Sequence, residues 1–449
     1  MGIAVAAPAG TSVMTVKLGP ALSSSTLSRD GEPGWLRERR SAAWKRFESL
    51  PWPSSTDEEW RKTDIGGLDF QDCPLFLTFG KAAEAQKAME AVGAFKAAVA
   101  GHVRYLGSHL VRGESGPLRP LVDAAANGPG IRDDFGDSAA LRERKFSSLN
   151  EALWDAGAAL IVPKGSDVKE PYRVSYVFPP GRSTLLPRTL VVVEEGASAR
   201  LYEEWFGSGT EKGLMVAHTE VVLKKGSSLT LIQHQSLPRT VSQFGTLRTR
   251  IAEGAQFELA TVETGAGLTK RTLEVSLDGP DARFVHKGII AGRGRQHFDV
   301  QEYVDHIAPM TQSNLFTKSA MRDKARSIFI GLLKVHPGAI KIKAYEINRN
   351  LMLSRSARAD SQPKLEILAD DVQCGHGSST GTVDESQLYY LMSRGLDRVA
   401  AERIIVEGFM QDILAKMPFA DSEKMGWLLE RLRVDVLAAL VANEAGTAG

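Results

Sequence analysis

The sequence predicts an α+β protein with a mainly β core, in which a β-helix lies between helical N-terminal and C-terminal regions. Short alternating runs rich in Val, Ile, Leu and Thr occupy residues 161–370, and such runs are typical of strands. The flanking stretches place apolar residues at helical spacing among Ala, Glu, Lys and Arg. We therefore expect a flexible arm (1–34), a helical domain (35–160), the β core (161–370) and a second helical domain (371–449).

A weak internal repeat predicts how the strands of the core are arranged. Each unit consists of an alternating run, a charged or polar turn containing glycine, and a second alternating run. Five segments share this form: Val193–Leu201, Leu223–Leu231, Ile251–Leu259, Leu277–Phe284 and Val335–Ile342. The first four turn glycines are 30, 28 and 25 residues apart. Stacking of such units indicates a solenoid or β-helix, which the repeat favours over an antiparallel meander or sandwich.

Apolar residues at helical spacing predict helices on both sides of the core. Six segments have this character: 35–50, 81–100, 146–159, 384–393, 397–417 and 422–444. The fourth segment begins with Asp384 and Glu385, whose negative charges suit the positive end of a helix dipole. Gly395 and Pro418 are expected to end the fourth and fifth helices.

The composition argues against several classes of function. Lys and Arg total 55 against 54 Asp and Glu among 449 residues, so the net charge of +1 lacks the basic excess of a nucleic-acid-binding protein. The two cysteines, Cys73 and Cys374, are 301 residues apart, which argues against a disulfide framework and favours a reducing compartment. No run of about 18 apolar residues predicts a membrane span. We expect a soluble, cytoplasmic protein.

Familiar catalytic motifs do not occur in the sequence. It has no Gly-x-x-x-x-Gly-Lys-Ser/Thr loop, so nucleotide hydrolysis by a P-loop mechanism is not expected. It also lacks His-Glu-x-x-His, Gly-x-Ser-x-Gly and Cys-x-x-Cys. We therefore predict that this chain is not an enzyme and binds no nucleotide itself.

Cys374 and His376 are the candidate functional residues, in a glycine-rich stretch that is predicted to be a turn opening into a helix. Thiolate and imidazole are good ligands for softer transition metals. Two ligands do not enclose zinc or an iron–sulfur cluster, so further ligands must come from elsewhere in the fold or from another chain. Two structural alternatives stay open. In the first, the pair only stabilises the helix start; in the second, Gly375, Gly377 and Gly381 form an anion-binding nest there.

The remaining histidines and the second cysteine are weaker candidates. The core contains His286, His297, His306 and His336, and a histidine among strands is usually satisfied by hydrogen bonds. Cys73 lies beside Asp72 and Pro74 and is predicted to be a small packed side chain.

Several motifs together resemble one protein family. Around the Cys-x-His pair these segments are Asn350–Ser354, Ala359–Asp360, Pro363–Ile367, Asp371–Gly377, Leu388–Gly395 and Gly408–Phe409. Earlier segments that also fit are Leu50–Pro53, Trp60–Thr63, Phe146–Asn150 and Phe329–Gly331. Spread over residues 35–415, this set is similar to the SufB/SufD family of iron–sulfur cluster assembly scaffold proteins. The single cysteine of the region resembles SufD-type members, because SufB-type members usually have more. Gly375 stands where SufD-type members typically have Ser.

The resemblance implies a right-handed parallel β-helix and a complex with two kinds of partner. A SufB-type subunit is expected at the end of the β-helix, beside the Cys-x-His region. A SufC-type ATPase is expected to bind residues 397–443 and to supply ATP hydrolysis. His376 is then expected to be an interface ligand for a transient iron–sulfur cluster or for iron, with Cys374 as a helper. Neutral imidazole can ligate iron in this way. A homodimer is a further expectation for the chain alone.

Two other functions stay open at this point. One is a purely structural role, in which the chain positions the SufB-type subunit and the ATPase while His376 does no chemistry. The other is a stand-alone β-helix enzyme acting on carbohydrate. The second has little support, because no clear carboxylate cluster occurs at the repeat positions.

Overall fold

The repeating units stack as successive turns of a parallel β-solenoid in the computed structural model. The structure describes residues 13–27, 29, 31–75, 99–114, 116–127, 131–136, 144–417 and 426–440. The helices in chain order are α1 (Gly34–Ser49), α2 (Leu121–Asn127), α3 (Ile131–Asp134), α4 (Lys145–Leu153), α5 (Glu385–Ser393), α6 (Arg398–Leu414) and α7 (Gly426–Leu440), after a 3₁₀ turn at Ser24–Thr26.

The strands alternate between two sheets along the chain. In chain order they are β1 (Gly101–Leu106), β2 (His109–Arg112), β3 (Leu118–Pro120), β4 (Ala156–Val162), β5 (Tyr172–Phe178), β6 (Ser183–Leu185), β7 (Pro187–Val193), β8 (Ser198–Gly207), β9 (Gly213–Leu223), β10 (Ser228–Ser236), β11 (Val241–Ile251), β12 (Gln256–Glu263), β13 (Leu268–Leu277), β14 (Arg283–Gly292), β15 (His297–His306), β16 (Gln312–Met321), β17 (Arg326–Val335), β18 (Ile342–Met352), β19 (Arg358–Ile367) and β20 (Val372–Thr382).

The first sheet has the spatial order β2-β1-β5-β8-β10-β12-β14-β16-β18-β20, and the second β19-β17-β15-β13-β11-β9-β7-β4-β3, with β6 beside β9. From β4 and β5 onward the pairing is parallel, as in β8, β10 and β12, where Leu201, Leu231 and Leu259 share one ladder position. Each turn of the chain thus adds one strand to each sheet. This confirms the β-helix and rules out the antiparallel meander or sandwich.

Glycine at the repeated turns has a conformational reason. Gly196, Gly226 and Gly254 have φ between 64° and 66°, in the left-handed region that a side chain disfavours. The turn at Gly279 differs, because Asp281 takes the positive φ of 60° instead. The repeat therefore marks real corners of the solenoid.

The main core lies between the two sheets, and helices cover their outer faces. Outward residues of the first sheet, such as Ile232 and Ile289, pack with Met410 of α6 and Leu432 of α7. On the second sheet, helix α4 contacts Val216 and its neighbours. The alternating side chains of each strand thus serve two different cores.

Part of the N-terminal region differs from the sequence prediction. Residues 13–27 are not a loose arm, since Met14 and Val16 are buried and Val13 forms a β-bridge with Ser54. The region predicted as helical between 35 and 160 also contains β1 to β4, because those strands extend the two sheets. Residues 1–12 and most of the helix predicted at 81–100 lie outside the described residues. The domain boundaries themselves stay predictions.

The two ends of the solenoid are built differently. At the N-terminal end, β2 runs antiparallel to β1, and β3 runs antiparallel to β4. At the C-terminal end, β19 and β20 are the last strands, and each pairs on one side only among the described residues. We call this C-terminal end, formed by β19 and β20, the open end. None of the helices in the described part of the chain combines the length and apolar character of a membrane span.

Candidate functional site at the open end

Cys374 and His376 lie in the middle of β20, so the prediction of a turn opening into a helix was wrong. Eleven consecutive residues of β20 pair with β18, from Val372 to Thr382. The continuous ladder with β18 keeps the glycines of this stretch extended. The helix starts only at Glu385, which belongs to α5.

The helix start leaves no role for a glycine nest. Asp384 caps α5, because its side chain accepts a hydrogen bond of 2.8 Å from the backbone N–H of Ser386. Gly375, Gly377 and Gly381 are not among the residues with positive φ. The anion-binding alternative is therefore wrong for these residues.

The candidate thiol and imidazole share one face of β20. Residues two apart in a strand point to the same side, with Cα atoms about 6.6 Å apart. Cys374 pairs with Ala344 and His376 with Glu346, and both partners belong to inward-facing ladders. Cys374 is half-buried against the main core, whereas His376 is exposed at the rim. The structure thus brings the two predicted residues together on the inner face of an edge strand.

The environment of Cys374 opposes its ionisation. Burial raises the pKa of this thiol, and a hydrogen bond from the Ala344 backbone lowers it in part. A metal binds the thiolate form, so metal binding at Cys374 must release a proton. His376 is the more accessible ligand of the two, because it faces solvent.

A buried acidic pair lies behind this face and was missed by sequence reasoning. Glu346, the register partner of His376, is fully buried, and its carboxyl occupies the space left by the absent side chain of Gly331. Glu302 precedes Gly331 in the same ladder, and His286 Nδ1 is 2.8 Å from Glu302 Oε1. Burial, and next the charge of Glu302, raises the pKa of Glu346 to about 9. Glu346 therefore carries a proton at neutral pH.

A signal for Glu346 was present in the sequence. In β18 the positions that share the parity of the buried residues Ile342 and Ala344 include Glu346. Ile342 and Ala344 are apolar and two residues apart, as expected for inward positions of a strand. Glu346 is the next residue at this spacing, so it is also expected to point inward. The partner across the core, Gly331, could not be identified without the fold.

The weaker candidates have ordinary hydrogen bonds or packing, as predicted. His297 Nε2 lies 3.0 Å from Thr63 Oγ1, and His306 contacts the hydroxyl of Thr311 at 2.7 Å. His336 is close to Asp305 at 2.7 Å, and Nε2 of His286 is close to Thr261 at 2.9 Å, although Nδ1 of His286 has no aligned hydrogen bond within the described residues. Cys73 is buried in the core beneath α1.

Within the described residues, no group of three or more His, Cys, Asp or Glu side chains is arranged to hold a metal ion. Cys374 and His376 are therefore two candidate ligands on an open edge, and a metal or cluster bound there would need further ligands from outside the described residues. An edge strand with free backbone groups also favours pairing with another chain.

Comparison with known proteins identifies the family. A family model described as "SUF system FeS cluster assembly, SufBD core domain" matches residues 178–409, which is more than half of the chain. The chain belongs to the SufB/SufD family. The matched segment runs from the last residue of β5 into α6, so it contains the open end with Cys374 and His376.

Curated relatives cover most of the chain. The chain is 27% identical over 409 residues to the iron–sulfur cluster assembly protein SufD of Bacillus subtilis, covering 88% of this chain and 92% of the relative. It is 25% identical over 422 residues to SufB of the same organism, covering 89% of each. A SufBD family protein of Synechocystis is 27% identical over 428 residues, covering 89% and 91%. Membership in the family supports a role in iron–sulfur cluster assembly.

Proposed function

We propose that this chain is the SufD-type scaffold subunit of a cytoplasmic SUF complex, paired with a SufB-type subunit and a SufC-type ATPase. The observation that supports this most directly is the placement of a thiol and an imidazole on the inner face of β20, the last strand of the first sheet. Relatives of the chain are named iron–sulfur cluster assembly proteins. The chain itself performs no catalysis, and the ATPase supplies ATP hydrolysis.

The SufB-type subunit docks on the open end, with β20 as the main contact strand. Both terminal strands lack a second neighbour among the described residues, but they differ as templates. Pro363 lies within β19, and a proline has no N–H to donate to an added strand. β20 contains no proline and has Cys374 and His376 at its centre. Addition of a partner strand at β20 therefore brings the partner's ligands next to this pair. Without its partner, a second copy of the chain can use the same edge.

The cargo is a transient iron–sulfur cluster or iron, held between the two subunits. His376 is the first ligand from this chain, because it is exposed and neutral imidazole binds iron without losing a proton from a buried site. Cys374 is a second ligand that ionises when the metal arrives. The other ligands come from the SufB-type subunit.

The ATPase binds the C-terminal helices, within residues 397–443. Of this range, 418–425 and 441–443 lie outside the described residues. Val399 and Ile404 of α6 are apolar and exposed, as a docking face requires. Lys318 of β16 donates a hydrogen bond of 2.7 Å to the carbonyl of Phe409 and pairs with Asp412 at 3.0 Å. A movement of α6 driven by the ATPase is therefore transmitted to the first sheet, which ends in β20.

The test is cluster assembly by the reconstituted three-protein complex under anaerobic conditions. His376→Ala should lower the yield of cluster by roughly tenfold or more, since even the loss of an outer-shell partner costs about 10- to 100-fold in metal affinity. Cys374→Ala should have a smaller effect. The complex should keep its composition in both variants, as measured by size-exclusion chromatography with light scattering.

His109→Ala is the matched control, because His109 is an exposed histidine on edge strand β2 at the other end of the solenoid. Normal assembly by the His376→Ala complex would support the structural alternative, in which the chain only positions its partners. Failure to recover a complex with a SufB-type subunit and an ATPase would contradict the proposed function itself.

A further inference from the structure

One loop of the N-terminal region crosses the outer face of the second sheet towards the open end. We call residues 54–63 the strap. Its centre is held by β13 and β15: the carbonyl of Glu59 accepts hydrogen bonds from Gln301 Nε2 at 2.7 Å and from Lys270. The hydroxyl of Tyr303 donates to Glu59 Oε1 at 2.8 Å. Arg144 also pairs with the carboxylate of Glu59, so the four contacts of this residue include both its backbone and its side chain.

The last residues of the strap also bind β15. The hydroxyl of Thr63 donates to Asp299 and lies 3.0 Å from Nε2 of His297. Trp60 packs its ring 6.3 Å from that of Phe244, which belongs to β11. The strap is therefore fixed to the middle strands of the second sheet.

Two other residues of the strap form ion pairs with the edge strand β19. Lys62 Nζ is 2.8 Å from Asp360 Oδ1, and Asp360 also accepts a hydrogen bond of 2.6 Å from Arg326 of β17. Glu58 pairs with Lys364 of the same strand. Asp360 and Lys364 share the outward face of β19, so both pairs leave its inner face and its free edge uncovered.

Edge strands need such a device, because a shift of one residue would exchange the two faces of the strand. In β19 the inward residues include Pro363 and Leu365, which lie opposite the buried carboxyl pair and the core. In the described part of the chain, β17 is the only strand that pairs with β19 through backbone hydrogen bonds. The two ion pairs add a second attachment that is independent of the backbone ladder.

We propose that the strap is a clamp that fixes the position of β19 and thereby gives the open end its shape. The clamp links the N-terminal region to the last turn of the solenoid, some 300 residues later in the chain. It also joins two segments that the sequence singled out, Trp60–Thr63 and Ala359–Asp360. A partner that docks on the open end then meets a surface that is already ordered.

The test is amide hydrogen exchange in the full-length chain, followed by mass spectrometry. The double variant Glu58→Lys/Lys62→Ala should speed exchange in peptides from β19 about threefold to tenfold, since each pair contributes weakly but they act together. Peptides from β15 should keep their exchange rates, because the centre of the strap retains its contacts. Adding Lys364→Glu to Glu58→Lys reverses one pair and should restore most of the protection that Glu58→Lys alone removes.

Lys164→Ala is the control, because Lys164 pairs at 2.7 Å with Glu195 in an exposed ion pair far from β19. It should leave exchange in β19 unchanged. Unchanged β19 exchange in the double variant would overturn the proposal, and so would a failure of the charge reversal to restore protection. The measurement needs no partner protein, so its result is independent of the proposed function in cluster assembly.

Discussion

Glu203, a buried residue in the middle turns of the solenoid, has several hydrogen-bond partners, whereas the buried carboxyls of Glu302 and Glu346 near the open end have no aligned partner within the described residues. Glu203 accepts hydrogen bonds from Thr219 at 3.0 Å and from Gln233 at 2.6 Å. By contrast, the four carboxyl oxygens of Glu302 and Glu346 have no aligned hydrogen bond within the described residues, although His286 is close to one of them. Both groups are equally buried, so exposure does not explain the difference.

The difference shows two ways in which the interior accommodates a buried carboxyl group. A satisfied buried network adds a defined set of partners to the core and costs little. An unsatisfied carboxyl pair is expensive unless one member keeps a proton, and this is the state that burial and mutual repulsion impose on Glu346. The expensive pair lies next to the inner face of β20, where the candidate ligands are. This energetic cost therefore lies at the end that is open to a partner.

A large loss of stability is expected when a buried ion pair in the middle turns of the solenoid is broken. Arg271 is buried, and it donates to both Glu263 and Gln233. Arg271→Met should lower the free energy of unfolding by about 3–5 kcal/mol, because it leaves the carboxylate of Glu263 buried without its cation. The measurement is urea denaturation. Arg358→Met, an exposed arginine at the start of β19, should change stability by less than about 0.5 kcal/mol. Similar losses in the two variants would contradict the comparison.

An effect of opposite sign, which depends on pH, is expected at the open end. The pKa of Glu346 is raised from 4.5 to about 9, so between these values the folded chain keeps a proton that the unfolded chain has lost. The free energy of unfolding therefore falls as the pH rises through this window, by up to about 1.4 kcal/mol per pH unit. Glu346→Gln removes the titration and should flatten this dependence. Near pH 8 it should raise the free energy of unfolding by at least about 1 kcal/mol.

Glu258→Gln is the control for this pH dependence, because Glu258 lies partly exposed in β12, where it pairs with Lys287 at 2.8 Å. It should keep the wild-type slope of stability against pH. An unchanged slope in Glu346→Gln would mean that the carboxyl is ionised in the folded chain, and the contrast between the two interiors would then be lost.

The fold could be predicted from sequence further than the site could. The corners at Gly196, Gly226 and Gly254 could be predicted, because a tight turn that needs a left-handed backbone conformation favours glycine whatever surrounds it. Strand β20 could not be predicted from the sequence. Gly375 and Gly377 locally favour a turn, and only the ladder with β18 overrides this preference. The charge state of Glu346 was out of reach, since it depends on Gly331 and Glu302 in the opposite sheet.

The smallest effect comes from two matched threonines, one in each interior. Thr219 donates to Glu203, whereas the hydroxyl of Thr317, near the open end, has no partner within the described residues. Both side chains are about 1% exposed, so Thr→Val changes little but the hydroxyl. Thr219→Val should cost about 1–3 kcal/mol, because it leaves a lone pair of Glu203 unsatisfied. Thr317→Val should be neutral or stabilising by up to about 1 kcal/mol, because it replaces an unpaired hydroxyl with a methyl group. Urea denaturation of the two single variants measures the difference directly. Equal losses at the two positions would mean that Thr317 has a partner, such as an ordered water, and is as well satisfied as Thr219.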